Sequence, residues 1–274
     1  MTQPSLIPIA ELARQIRKKS LIMTAKANAS HIGSSLSMAD ILAILYGRVL
    51  RVDPRHPDWP ERDRFILSKG HGCAALYSAL ALRGYFPEEW LDSYYQNGGH
   101  LPGHATHKGI PGIEVSTGSL GHGLPLAVGM ALAAKRDGKS HRVFVVHSDG
   151  ECDEGSNREA ALLAPQLKLD NLVVIVDYNK IQSLGNVKDV IDLDPLVDKW
   201  RAFRWATREL DGHDLAALDS ALGALPCEPD RPTCIIAHTI KGKGVSFMEG
   251  KLLFHYTPPR GDELPRALAE VEGA

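Results

Sequence analysis

The segment from Val143 to Gln182, VFVVHSDGECDEGSNREAALLAPQLKLDNLVVIVDYNKIQ, constrains the fold more than any other part of the chain. An apolar, β-branched run, Val143–Val146, ends at His147-Ser148-Asp149-Gly150. A loop containing Glu154-Gly155 follows, then a helix-like stretch to about Lys168, then a second β-branched run, Leu172–Val176, ending at Asp177-Tyr178-Asn179. Two short apolar strands with a helix between them read as a βαβ unit, and right-handed crossover leaves the strands parallel with both carboxyl ends on one edge. Asp149 and Asn179 then project into one crevice, where open parallel sheets bind their ligands.

The rest of the chain fits the same plan. Helical periodicity covers roughly 7–27, 38–50, 73–84, 87–96, 121–136, 155–168 and 214–225, with further apolar runs at Phe65–Leu67 and Cys234–Ala237. This alternation predicts one α/β domain over 1–274, a mostly parallel central sheet with helices on both faces, with 259–274 as a charged peripheral tail. At 274 residues, 44% of them hydrophobic, the chain is long enough to bury a large core. Its net charge of -2 gives no electrostatic reason to expect nucleic acid or an anionic membrane as partner. No apolar run approaches the roughly 18 residues of a membrane span. The first helix pattern (Ile9, Leu12, Ile16, with Arg14, Arg17, Lys18 and Lys19) lacks the layout of a secretory signal. Cys73, Cys152, Cys227 and Cys234 form no CxxC pair, which predicts reduced thiols in a cytoplasmic protein.

A carboxylate and an amide oxygen at the strand ends suit a hard divalent cation that takes few protein carboxylates and completes its shell from phosphates, carbonyls and water. The helix opening at Gly155 adds N–H groups and a positive dipole end for an anion. Taken singly, Asp149-Gly150 reads as a turn and Asn179 as a cap; neither accounts for the whole order of strand, DG, EG, helix, NL, strand and DxN. That order resembles the thiamine-diphosphate motif shared by transketolases and by the α chains of 2-oxo-acid dehydrogenases. The resemblance implies that Asp149, Asn179 and the carbonyl of Ile181 hold Mg²⁺ or Ca²⁺, and through it the cofactor diphosphate. It implies that Gly150 lets the backbone approach the phosphates, and that Glu154 sits at a subunit contact near the thiamine.

Four further segments resemble transketolase in particular, extending the likeness from about residue 10 to 259. They are Ala29-Ser30-His31-Ile32-Gly33-Ser34 with Ser37-Met38-Ala39-Asp40 after it, Leu67-Ser68-Lys69-Gly70-His71-Gly72, Pro102-Gly103-His104, and Ser116-Thr117-Gly118-Ser119-Leu120-Gly121-His122-Gly123. The last is glycine-rich but is neither GxGxxG nor a P-loop. By this resemblance His31, His71 and His104 line the channel above the thiazolium, with His255 a further active-site histidine. His71 and Ser34 also reach the cofactor, while Gly118, Ser119 and Leu120 meet the aminopyrimidine. Imidazoles suit a reaction in which a ketose loses and an aldehyde gains a hydroxyl proton near neutral pH. His56, His100, His107, His141 and His213 read as structural or surface residues, and His122 and His147 receive no role.

The sequence departs from the family pattern at Ser148, where glycine is usual and a hydroxyl would crowd or contact the diphosphate. It departs at Pro165, which should kink or shorten its helix, and at His238, a cofactor-side position where relatives often carry lysine. The catalytic glutamate of the family resides in a pyrimidine-binding domain for which this chain has no segment. The expectation is therefore an N-terminal subunit of a two-chain, α2β2 transketolase acting on sugars or sugar phosphates. The alternatives are another thiamine-dependent ligase or lyase (deoxyxylulose-phosphate-synthase-like, or a specialised-pathway sugar transketolase), and a non-catalytic thiamine-diphosphate-binding module.

Overall fold

A computed structural model gives the fold of residues 7–273. Residues 1–6 and 274, which the single-domain reading includes, lie outside the described residues. Helix α1 (Ile9–Ala27) leads into α2 (Ile32–Ser37) and α3 (Ala39–Ile44), and a π-helical turn at Leu45–Val49 continues the latter. Then come β1 (Arg64–Leu67), α4 (Cys73–Leu82), α5 (Gly123–Arg136), β2 (Val143–Ser148), α6 (Gly155–Gln166) and β3 (Leu172–Tyr178). The chain continues through α7 (Val187–Val190), α8 (Leu196–Ala202), β4 (Ala206–Asp211), α9 (Leu215–Gly223) and β5 (Thr233–His238). Helices α10 (Leu253–Tyr256) and α11 (Glu263–Glu272) close it.

The five strands are all parallel, in the order β1-β2-β3-β5-β4. Side chains of a strand alternate between faces, and here both faces are covered. Phe144, Val146, Val173, Ile175 and Ile235 pack with α1, α3, α4 and α9, whereas Val143, Val145, Val174, Val176 and Ile236 pack with α5, α6 and α8. Burial on both sides explains why the strands read as continuous apolar runs. Ser148 of β2 pairs with Asp177 of β3, and Tyr178 of β3 with His238 of β5, so these three strands end together. At the opposite edge the buried carboxylate of Asp63 accepts from Arg142 (2.6 Å) and Arg51 (3.1 Å), tying the starts of β1 and β2.

The α/β class is as the sequence predicts, with differences that have local causes. Strand β4 was not anticipated; it is an edge strand whose Arg208 and Glu209 face solvent, and charged edges hide a strand's apolar signal while blocking further pairing. The helix expected over 38–50 is present as α3 and its π-helical turn, whereas the short helix α2 before it, set off from α3 at Met38 (φ -96°, ψ 6°), was not expected. The segment expected over 87–96 is a short 3₁₀ helix, Glu88–Ser93.

Pro165 shortens its helix rather than kinking it: α6 stops at Gln166. Proline cannot donate to the carbonyl four residues back, and that carbonyl, on Ala161, instead accepts the buried indole N–H of Trp205 at 2.8 Å. Helix α11, in the segment expected as a tail, lies against α1 and buries Ala267 and Val271 beside Leu21.

Candidate active site

The carboxyl ends of β2, β3 and β5 carry the polar residues. Asp149 is only 2% exposed, and its carboxylate accepts from the backbone N–H groups of Gly150 and Lys180, each at 2.8 Å. Burial and the neighbouring Asp177 push its carboxyl up to about 6. Asn179 is also buried; its Oδ1 accepts from Ile181 N at 3.2 Å, which folds the DxN turn back on itself. The carbonyl of Ile181 accepts from the buried ammonium of Lys241 at 2.7 Å. Burial pulls Lys241 down to about 8, against the attraction of Asp149. One carboxylate, one amide oxygen and one carbonyl thus lie at the ends of adjacent strands. A Cβ at Gly150 would fall 3.2 Å from Gln182, so glycine keeps this turn open.

Beneath this turn is a buried ion pair that sequence reasoning missed. Asp177 and Lys69 are both fully buried and salt-bridged. Asp177 also accepts from Ser37 Oγ (2.6 Å) and from the hydroxyl of Thr239, and Lys69 donates to the carbonyl of Ser34 (3.3 Å). Burial opposes ionisation of Asp177, but Lys69 and the two hydroxyls hold its carboxyl below the usual carboxylate range. Lys69 and Asp177 stood inside quoted motifs; only the fold shows that they meet. Glu151 was missed in the same way: fully buried, it accepts from Ser68 Oγ and from Gly121 N (3.0 Å), tying three motif segments together.

The four histidines expected at the active site converge. The His31 ring lies 5.0 Å from His71, 6.0 Å from His104 and 5.1 Å from His255, and His71 is 6.0 Å from His255. His31 takes a left-handed conformation (φ 72°) at the start of α2, and its N–H donates to the carbonyl of His255 at 2.8 Å. Lys241 Nζ lies 2.8 Å from His255 Nδ1, joining the histidine cluster to the Asp149 turn, and Ser34 Oγ lies 3.2 Å from His71 Nε2. Burial lowers all four rings: His31 to about 4 and His255 to about 3, both also lowered by Lys241, with His71 and His104 lowered as well. At neutral pH they are uncharged and offer one donor and one acceptor each.

The loop Gly118–Gly121 lies beside His104 and Glu154. At Gly118 (φ 150°) a Cβ would come 2.9 Å from His104, and at Gly121 (φ 82°) 2.7 Å from Glu154. Ser119 and Glu154 are exposed and Leu120 is half-buried. Ser148 accepts the N–H of Glu151 at 3.2 Å, capping the turn after β2. His238 is placed differently from the other sequence-predicted residues: it is partly exposed, bonded to Glu209 (2.7 Å) and Lys180, and among the described residues it makes no ring contact with the four-histidine cluster.

Fold and site together define a parallel-sheet α/β domain with a buried carboxylate, an amide and a cluster of histidines gathered at its strand ends. The family model described as "Transketolase, thiamine diphosphate binding domain" matches residues 9–270. An apulose-4-phosphate transketolase chain of Actinobacillus succinogenes, itself named as one subunit of its enzyme, is 46% identical over 95% of this chain and 94% of its own length. The 6-deoxy-6-sulfo-D-fructose transketolase subunit SqwG of a Clostridium species is 45% identical over 97% of each. The transketolase structure from Campylobacter jejuni superposes with a TM-score of 0.91 at 33% identity, covering 99% of this chain and 43% of that one. The chain belongs to the transketolase family, as its thiamine-diphosphate-binding part, and the resemblance read in its motifs is borne out.

Proposed function

We propose that this chain is the N-terminal subunit of a two-chain transketolase. It takes part in moving a two-carbon ketol unit from a ketose, usually a sugar phosphate, to an aldose. The observation that carries this reading is the convergence of the Asp149–Asn179–Ile181 turn and four histidines on one strand edge. Thiamine diphosphate, when bound, supplies the electron sink for breaking the ketose C–C bond. Asp149, Asn179 and the Ile181 carbonyl hold Mg²⁺ or Ca²⁺, a donor set of the kind Mg²⁺ shares with phosphate oxygens. A cation there answers the buried carboxylate of Asp149, whose own hydrogen bonds come from backbone N–H groups.

Ser34 and His71 meet the cofactor. Gly118, Ser119 and Leu120 face its pyrimidine, and Glu154 stands at the contact with the partner. His238 reaches the cofactor only by exchanging its present bonds to Glu209 and Lys180. His31, His104 and His255 orient sugar hydroxyls as neutral donor–acceptors.

The partner supplies the pyrimidine-binding domain, in an α2β2 assembly in the cytoplasm. The naming of the relatives as subunits supports a separate partner chain. Their names also favour a second reading, a transketolase of a specialised sugar pathway. Release of glyceraldehyde 3-phosphate from xylulose 5-phosphate separates the two. Calorimetric titration of thiamine diphosphate with Mg²⁺ tests the site: Asp149→Ala should abolish metal-dependent binding, and unchanged affinity would refute the ligand assignment.

A further inference from the structure

Behind the turn that carries Asp149, on the side of the sheet covered by α6 and α8, lies a cavity of about 310 Å³. Its volume is at the lower end of the range for small-molecule sites. The walls are apolar, with Leu196, Trp200 and Phe203 prominent. Two polar side chains at its inner surface are left without a partner among the described residues. His147 is fully buried, and its Nδ1 lies 2.9 Å from the carbonyl of Ser148. A carbonyl only accepts, so Nδ1 is the donor there; in that tautomer Nε2 is the acceptor, and it has no hydrogen-bond partner among the described residues. Asn157, 3% exposed, donates through Nδ2 to the carbonyl of Glu151 at 2.7 Å, which leaves Oδ1 as a second acceptor without a donor.

Buried acceptors are normally satisfied, and leaving one without a donor costs about 1–3 kcal/mol. Two of them in the lining of one apolar cavity describe a receptor for hydrogen-bond donors. Cys152, also in the lining, is held as the neutral thiol by burial, which pushes it well above its ordinary value, so it adds apolar wall rather than a nucleophile. The charged side chains of the lining are Arg158, Lys199 and Asp192, a balance of one positive charge that favours a neutral guest over a cationic one.

We propose that this cavity is a second binding site, separate from the histidine cluster. It takes a small neutral molecule with an apolar body and an N–H or O–H head. The head enters first and, as the side chains covering them give way slightly, donates to His147 Nε2 and Asn157 Oδ1, while the body lies against Leu196, Trp200 and Phe203. Its floor belongs to the same turn as Asp149, since His147 and Cys152 flank that residue in sequence. A guest therefore rests directly against the segment that closes the strand-end site.

Benzamide is a suitable probe, because its primary amide carries two N–H donors on an apolar ring. Titration of the full chain with thiamine diphosphate and Mg²⁺ present should show saturable benzamide binding. N,N-dimethylbenzamide, which lacks the donors, should bind at least about tenfold more weakly. Ile191 lines the mouth and is half exposed. Ile191→Trp should close the cavity and weaken benzamide about tenfold or more without changing the melting temperature, and His147→Phe should weaken it similarly by removing an acceptor. The proposal is overturned by absence of saturable binding (the acceptors then being served by ordered water only), by equal affinity for the two amides, or by wild-type affinity in both variants. Displacement of the probe by thiamine diphosphate would place it elsewhere and equally overturn the proposal.

Discussion

Replacing Asp177 by asparagine keeps the shape beneath the Asp149 turn and removes one charge. The ammonium of Lys69 is then left in a fully buried position with the Ser34 carbonyl, 3.3 Å away, as its remaining hydrogen-bond partner among the described residues. Removing one member of a buried ion pair costs about 3–5 kcal/mol, because the other charge stays desolvated and unanswered. For a chain of this size that corresponds to a fall in melting temperature on the order of 10 °C. Ser37 and Thr239 donate to different oxygens of Asp177, so asparagine, with one oxygen and one NH2, accepts from one hydroxyl and donates to the other, which turns to accept. The hydroxyls keep partners, and the loss reports chiefly the charge. Lys69→Met added to Asp177→Asn removes the stranded ammonium and should recover at least half of the loss. Chemical denaturation of wild type, both single variants and the double variant measures the coupling directly. A cost below about 1 kcal/mol for Asp177→Asn, or strict additivity in the double variant, would refute the argument that this pair is held together by mutual charge compensation.

Two further outcomes follow from the packing. Trp205→Phe should destabilise the chain by about 1–3 kcal/mol, since it orphans the Ala161 carbonyl that Pro165 cannot serve; an unchanged denaturation midpoint would show that water takes over that carbonyl. Burial opposes ionisation of Asp63, but Arg142 and Arg51 hold its carboxyl below the usual range. A depressed carboxyl stabilises fully above its unfolded value near pH 4 and loses that contribution as pH falls through the folded value. The melting-temperature gap between wild type and Asp63→Asn should therefore narrow between pH 6 and pH 3; a gap that stays constant would contradict the assignment.

The sheet was legible because β1, β2, β3 and β5 are buried on both faces, so each left an apolar run bounded by turns. Strand β4 was not, because an edge strand with Arg208 and Glu209 outward carries little apolar signal. Helix α2 was equally hidden, since six residues are too few to show a helical period. In the site, residues inside motifs were found, including four histidines spread from position 31 to 255 that meet within about 6 Å of a shared neighbour. Missed were the groups whose role depends on a distant partner. Lys69 needs Asp177, Lys241 needs the Ile181 carbonyl, and Glu151 needs Gly121. Chain spacing carries motifs, whereas charge compensation across 108 residues becomes visible only when the strands are placed side by side.

The central claim is that this chain holds thiamine diphosphate and needs a second chain to use it. It is tested most directly by assaying ketol transfer from a panel of ketose phosphates with the chain alone, a pyrimidine-domain partner alone, and the two combined. The account predicts no turnover from either alone, turnover from the mixture, and its loss when Asp149→Ala replaces the wild-type chain. Turnover by the chain alone, or by the mixture carrying Asp149→Ala, would contradict it.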